Sequence, residues 1–115
     1  EPQIYFHANR KSATGYIYVY GLMEPHGFAS RMQKEMIQEI ESAEPRYIVF
    51  VNENLSWLVR RSSDPYIFNW ARKYLSDHYL LRGVIGRSGG LKTDIDPQDT
   101  GLAWQNMLAI MERKK

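Results

Sequence analysis

Cysteine is absent from all 115 residues. Thiol catalysis, thiolate-ligated zinc and disulfide bracing are therefore excluded. Histidine is scarce, and His7, His26 and His78 are scattered without metal-ligand spacing. No long apolar run occurs. Runs such as residues 16–20 and 47–51 fall far short of the ~20 residues that cross a bilayer. Neither sign of charge dominates: fifteen basic against thirteen acidic residues leave a formal +2, which is no argument for nucleic acid. A secretory signal pattern is missing, and the chain opens on Glu1 without a methionine. It reads as a piece of a longer protein.

What remains is an ordinary globular composition, 43% hydrophobic and 24% charged, in a chain long enough for one core. Residues 16–20, aromatic and β-branched between Gly15 and Gly21, predict a strand. Phe28, Met32, Met36, Ile37 and Ile40 then recur at helical spacing, with Lys34, Glu35, Gln38, Glu39 and Glu41 opposite. That helix should stop before Pro45. Residues 47–51 are apolar on both faces, which suits a central parallel strand covered by helices.

Asp64-Pro65 predicts the cap and first turn of another helix, with Ile67, Phe68, Ala71, Tyr74, Leu75 and His78 on its buried stripe. Residues 79–85 predict a third strand. Residues 86–101 read as a long polar loop, and 104–111 as a last strand antiparallel to 79–85, with a helix over 102–112 as the competitor. The opening segment, Gln3 to Phe6 behind Pro2, fits either a short helix or an extended stretch. The expectation is one α/β domain over residues 1–115. Its sheet would be mostly parallel, three-layered and Rossmann-like, with two main crossover helices and a C-terminal antiparallel edge strand.

No motif names a chemistry. Gly86-Arg87-Ser88-Gly89-Gly90-Leu91-Lys92-Thr93 approaches a phosphate-binding loop, but Leu91 stands where glycine is needed. The residues that follow do not predict the required helix. Asp94, Asp96 and Asp99 lack the glycine and late glutamate of a calcium loop. No serine lies in a nucleophile elbow, so no catalytic residue, metal ligand or cofactor is assigned.

Two polar segments stand out. One is the basic, hydroxyl-rich stretch 9–14, with Arg10 and Ser12. The other follows the expected central strand, where Asn52 and Asn54, with Trp57, would line a crevice of the kind found beyond parallel strand ends. Charge is uneven as well, with seven basic and two acidic residues between Arg60 and Lys92. Arg60 and Arg61 suit phosphate head groups of a membrane or an anionic carrier lipid. Ordinary solvated loop residues are the alternative reading for each.

A linear pattern carries more. Glu1-Pro2-Gln3-Ile4-Tyr5-Phe6, then Asn9-Arg10-Lys11-Ser12-Ala13-Thr14-Gly15-Tyr16, opens it. It continues through residues 39–51, Ser56-Trp57-Leu58, Tyr74-Leu75 with Tyr79, and a closing Met111-Glu112-Arg113-Lys114. The whole resembles a soluble region near the C-terminus of bacterial polytopic glycosyltransferases of the GT-C superfamily, similar to the dolichyl-phosphate-mannose protein mannosyltransferases and the lipid A aminoarabinose transferase.

The resemblance implies a parent enzyme in the bacterial inner membrane that uses a polyprenyl-phosphate sugar donor, with this segment as its periplasmic domain. The transmembrane portion of the same chain and the polyprenyl-phosphate lipid are the implied partners, without nucleic acid. It also implies a strand ahead of Glu1-Pro2 and favours the helix over Gln3 to Ala8. The superfamily's catalytic acidic residues lie between early transmembrane helices, and no position here matches them. The expected task is therefore non-catalytic assistance in positioning acceptor or carrier lipid. The alternatives are a stand-alone binding module for a nucleotide or sugar phosphate, and a protein-interaction domain.

Overall fold

A computed structural model describes residues 2–86, 88–96 and 107–115. Their contacts divide the chain into two compact units, Glu1–Glu44 with Leu55–Ile67, and Pro45–Asn54 with Phe68–Lys115.

The first unit is helical. Helix α1 (Pro2–Ala8) starts on proline, whose locked φ suits a first turn. Asn9, at φ 51°, ends it. The Asn9 and Arg10 amides donate to the Phe6 and Tyr5 carbonyls, the reciprocal pair of a left-handed helix cap. The strand expected at residues 16–20 is not formed. Ser12 Oγ accepts the Thr14 amide, Thr14 Oγ1 accepts the Tyr16 amide, and Glu39 accepts the Gly15 amide. Side chains thus hold the turn that leads into the segment and take the amide of its first residue, and local bonding of this kind competes with ladders.

Tyr20 opens the short helix α2 (Tyr20–Met23), which buries Leu22 and Met23. Helix α3 (Ala29–Ala43) ends on Glu44 in the left-handed region, its amide bonded to the Ile40 carbonyl, one residue ahead of Pro45 as expected. Its buried face is Ala29, Gln33 and Ile37, spaced by four. Phe28, counted on the apolar stripe, is instead 67% exposed.

Helix α4 (Asn54–Trp57) follows, then α5 (Tyr66–His78). Asp64 accepts the Tyr66 amide at 3.0 Å, as its capping position predicts. At the other end Lys114 Nζ reaches the Ser76 and Asp77 carbonyls at 2.7 and 3.1 Å, answering the unpaired carbonyls and the negative end of the helix dipole.

The second unit is built on a four-stranded sheet of β1 (Tyr47–Asn52), β2 (Tyr79–Ile85), β3 (Leu91–Lys92) and β4 (Met107–Arg113). Their spatial order is β1-β4-β2-β3. Every pairing is antiparallel, which overturns the expectation of a mostly parallel, three-layer Rossmann-like sheet. Because β1 and β2 both run opposite to β4, they do point the same way, as a crossover requires. The C-terminal strand lies between them instead of at an edge.

The physical reason is burial. Ala109 and Met111 of β4 are 2% and 1% exposed, whereas β1 leaves Tyr47 and Val49 at 51% and 36%. The strand whose apolarity looked central therefore takes the flank. Ala71 and Leu75 of α5 join Tyr79, Ala109 and Met111 in a core against which Ile48, Phe50, Trp70, Tyr74 and Leu81 pack. Full burial of a side chain such as Leu75 or Met111 contributes about 1.5–3 kcal/mol. On the other sheet face Glu112 accepts from Arg82 at 2.8 Å, Tyr47 at 3.1 Å and Arg46 at 3.3 Å, which ties three strands' worth of chain to one carboxylate.

Candidate functional site

In the first unit, the segment after α4 has an unusual local build. Leu58 sits at φ 52°, a left-handed conformation that is costly for a residue with a branched side chain. The Arg60 amide donates to Ser63 Oγ at 2.9 Å, and the Ser63 amide donates back to the Arg60 carbonyl at 3.0 Å. Ser63 Oγ in turn donates to the carbonyl of buried Met23 at 2.5 Å. The arginine turn is thereby pinned to the end of α2.

That turn presents Arg60 and Arg61 to solvent, and among the described residues neither is in an ion pair. Just before them Leu55, Leu58 and Val59 are 71%, 46% and 49% exposed. Trp57, between these, is half-buried.

The other residues singled out from the sequence are dispersed. Arg10 is exposed behind α1. Ser12 Oγ donates to Tyr5 Oη at 3.3 Å and accepts the Thr14 amide, so it works as a loop brace. Asn52 ends β1 and Asn54 begins α4, both in the second unit, while Arg10, Ser12, Trp57, Arg60 and Arg61 belong to the first. A crevice lined by Asn52 and Asn54 requires parallel strand ends. This sheet is antiparallel and has no such switch point.

The loop motifs gain no site. Gly89 and Gly90 are followed by the two-residue β3, which pairs Leu91 and Lys92 with Ile85 and Val84. A helix N-terminus is what a phosphate loop requires at that point. Asp99 lies outside the described residues, as does the start of the last predicted strand at Trp104. Among the described residues no group of three or more His, Asp or Glu side chains is placed to hold a metal ion. His26 accepts the Phe28 amide at Nδ1 and so donates from Nε2 to the Gly21 carbonyl at 2.7 Å. Both ring nitrogens are spent on closing the loop into α3.

An open groove along α3 is lined by Gly27, Ser30, Arg31, Lys34, Glu35 and Gln38. Glu35 there accepts from Tyr16 Oη at 2.6 Å, and this hydrogen bond, with the carboxylate's charge and partial burial, pushes the phenol up to about 12.

Two features escape sequence reasoning, one polar and buried, the other apolar and exposed. Gln33, fully buried, donates to the Leu22 and Asp64 carbonyls at 2.8 and 2.9 Å and accepts the Ile67 amide at 2.9 Å. One side chain so joins α2, α3 and the start of α5. Its signal was available: a polar residue in the i, i+4, i+8 register of Ala29 and Ile37. The exposed aliphatic group Leu55, Leu58 and Val59 had no signal, since those letters read equally well as core.

What the arginine turn offers is recognition, not bond-making: two guanidinium groups for anions beside an apolar surface. Compared with models of known protein families, with curated protein sequences and with solved structures, the chain matches none.

Proposed function

We propose that this chain is the extracytoplasmic, non-catalytic domain of a bacterial membrane glycosyltransferase whose sugar donor is a polyprenyl phosphate. On this reading it helps to position the acceptor or the carrier lipid for an active site carried elsewhere in the same protein. The linear resemblance supports the parent's identity. The structural observation that supports the domain's role is the exposure of large apolar side chains in the helical unit: Phe6, Tyr18, Phe28 and Leu55 are 82%, 67%, 67% and 71% exposed. Large apolar side chains left in water at several places are available for contact with something else. No described helix is long and apolar enough to cross a membrane, so on this reading the spans are supplied by other parts of the parent.

The test is deletion. Membranes carrying the parent protein without residues 1–115 should transfer sugar more slowly than membranes carrying it whole, while the 115-residue chain alone should transfer none. Unchanged transfer after deletion would rule out the supporting role. A parent reading frame without apolar segments of ~20 residues would rule out the membrane enzyme itself.

A further inference from the structure

We propose that the segment from Leu55 to Arg61 is a membrane-surface docking element, and that its partner is a bilayer leaflet bearing anionic phospholipid. The inference deepens the reading above by naming what this face of the domain meets. The segment lies wholly in the helical unit.

Three observations converge. Leu55, Leu58 and Val59 stand 71%, 46% and 49% exposed within five residues, an aliphatic cluster that water does not favour. Arg60 and Arg61 follow directly, exposed and outside every ion pair among the described residues. Aliphatic side chains that enter the acyl boundary, with basic groups at head-group level, are the arrangement that holds peripheral proteins on anionic leaflets.

The third observation is the strain. Leu58 adopts φ 52°, a conformation that persists only where its surroundings impose it, yet half of that side chain faces solvent. The fold holds a leucine outward at a cost to itself. The Ser63 hydroxyl, bonded to both the Arg60 amide and the Met23 carbonyl, keeps the arginines on a fixed turn. Little conformational entropy is then left to lose on docking.

A protein groove would be a competing partner for the aliphatic residues. It gives no reason for two adjacent guanidinium groups, outside every ion pair among the described residues, directly after the exposed aliphatic residues, whereas a leaflet supplies both phosphate and an acyl boundary.

The experiment uses the 115-residue chain with sedimented vesicles of phosphatidylcholine alone and of phosphatidylcholine mixed with phosphatidylglycerol. Binding should appear with the anionic vesicles and weaken as salt is added. The double variant Arg60→Gln/Arg61→Gln should bind about 30-fold less tightly. Leu55→Ser should weaken binding by about tenfold. Leu58→Gly removes the side chain and relieves the backbone, so it should weaken vesicle binding while unfolding at the same or a higher urea concentration. That separates lost docking from lost folding.

No binding of the unsubstituted 115-residue chain to anionic vesicles at low salt overturns the proposal. So does binding that survives all three substitutions. Neither result bears on the deletion test, which reads sugar transfer and stands or falls by itself.

Discussion

Replacing Gln33 with methionine should destabilise the helical unit by about 2–4 kcal/mol. The two side chains are close in length and volume, so little cavity is created, and the cost comes from abandoned hydrogen bonds. Gln33 serves three backbone partners at 2.8, 2.9 and 2.9 Å. The Leu22 carbonyl and the Ile67 amide belong to residues only 0% and 3% exposed. Each would be left buried without a partner, at about 1–3 kcal/mol. The Asp64 carbonyl belongs to an exposed residue, where water can replace the lost donor. Burying a thioether instead of an amide returns ~1 kcal/mol.

Urea unfolding followed by far-UV circular dichroism measures the difference, and the melting temperature should fall by roughly 8–16 °C for a domain of this size. Gln33→Glu is the sharper control. A carboxylate still accepts the Ile67 amide but cannot donate to two carbonyls, so burial and the facing oxygens raise its folded pKa. That variant should be more stable near about pH 4 than near about pH 7. A loss below ~0.5 kcal/mol in Gln33→Met, within the range of ordinary surface changes, would refute the claim that one amide joins these three helices.

Two further predictions concern titration. Tyr16 is held up to about 12 by its hydrogen bond to Glu35. One of the eight tyrosines should therefore ionise last in an ultraviolet titration, and Glu35→Gln should bring it back toward the ordinary value. Because the folded value is the raised one, the stability this pair contributes is complete below about pH 10 and is lost as pH rises through about 12. Glu112 behaves in the opposite sense. The Arg82 guanidinium first, then Tyr47 and Arg46, hold its carboxyl below the usual carboxylate range. Its contribution is present above that range and disappears as pH falls through the depressed value. Acid unfolding of Glu112→Gln should accordingly show a shallower pH dependence than that of the unsubstituted chain, and equal slopes would count against the three-donor arrangement.

The elements that local chemistry decides were legible. The period of α3 and its end before Pro45, the Asp64 cap of α5, and β1 and β2 all follow from spacing and capping within about a dozen residues. The direction of β4 against β2 was also readable. Its place between β1 and β2 was not. The register Tyr47↔Glu112 to Asn52↔Met107 joins segments more than fifty residues apart, and apolarity ranks strands without ordering them. Tyr16 to Tyr20 shows the second kind of failure. The Thr14 hydroxyl takes the Tyr16 amide, and the turn before it is held by Ser12 and Glu39, a competition that composition alone does not display.

The candidate site was half legible for a related reason. Arg60-Arg61 announces itself as adjacent like charges, but Leu55, Leu58 and Val59 carry the same letters as a core. What separates them is how the helical unit is held together. Its described buried residues are few, chiefly Leu22, Met23, Ala29, Gln33, Ile37 and Ile67. Its segments are joined by polar bonds from Gln33, Ser63 and His26 as much as by packing. A unit braced in that way does not need every aliphatic side chain inward, because specific hydrogen bonds already decide the chain path. Leu58 can then be turned outward against its own backbone preference. The same polar bracing that hides the helical unit's core from sequence reasoning is what leaves apolar surface free to meet a bilayer. A variant that loosens the brace without touching the surface, such as Gln33→Met, should therefore lower stability and leave vesicle affinity unchanged wherever the chain is still folded.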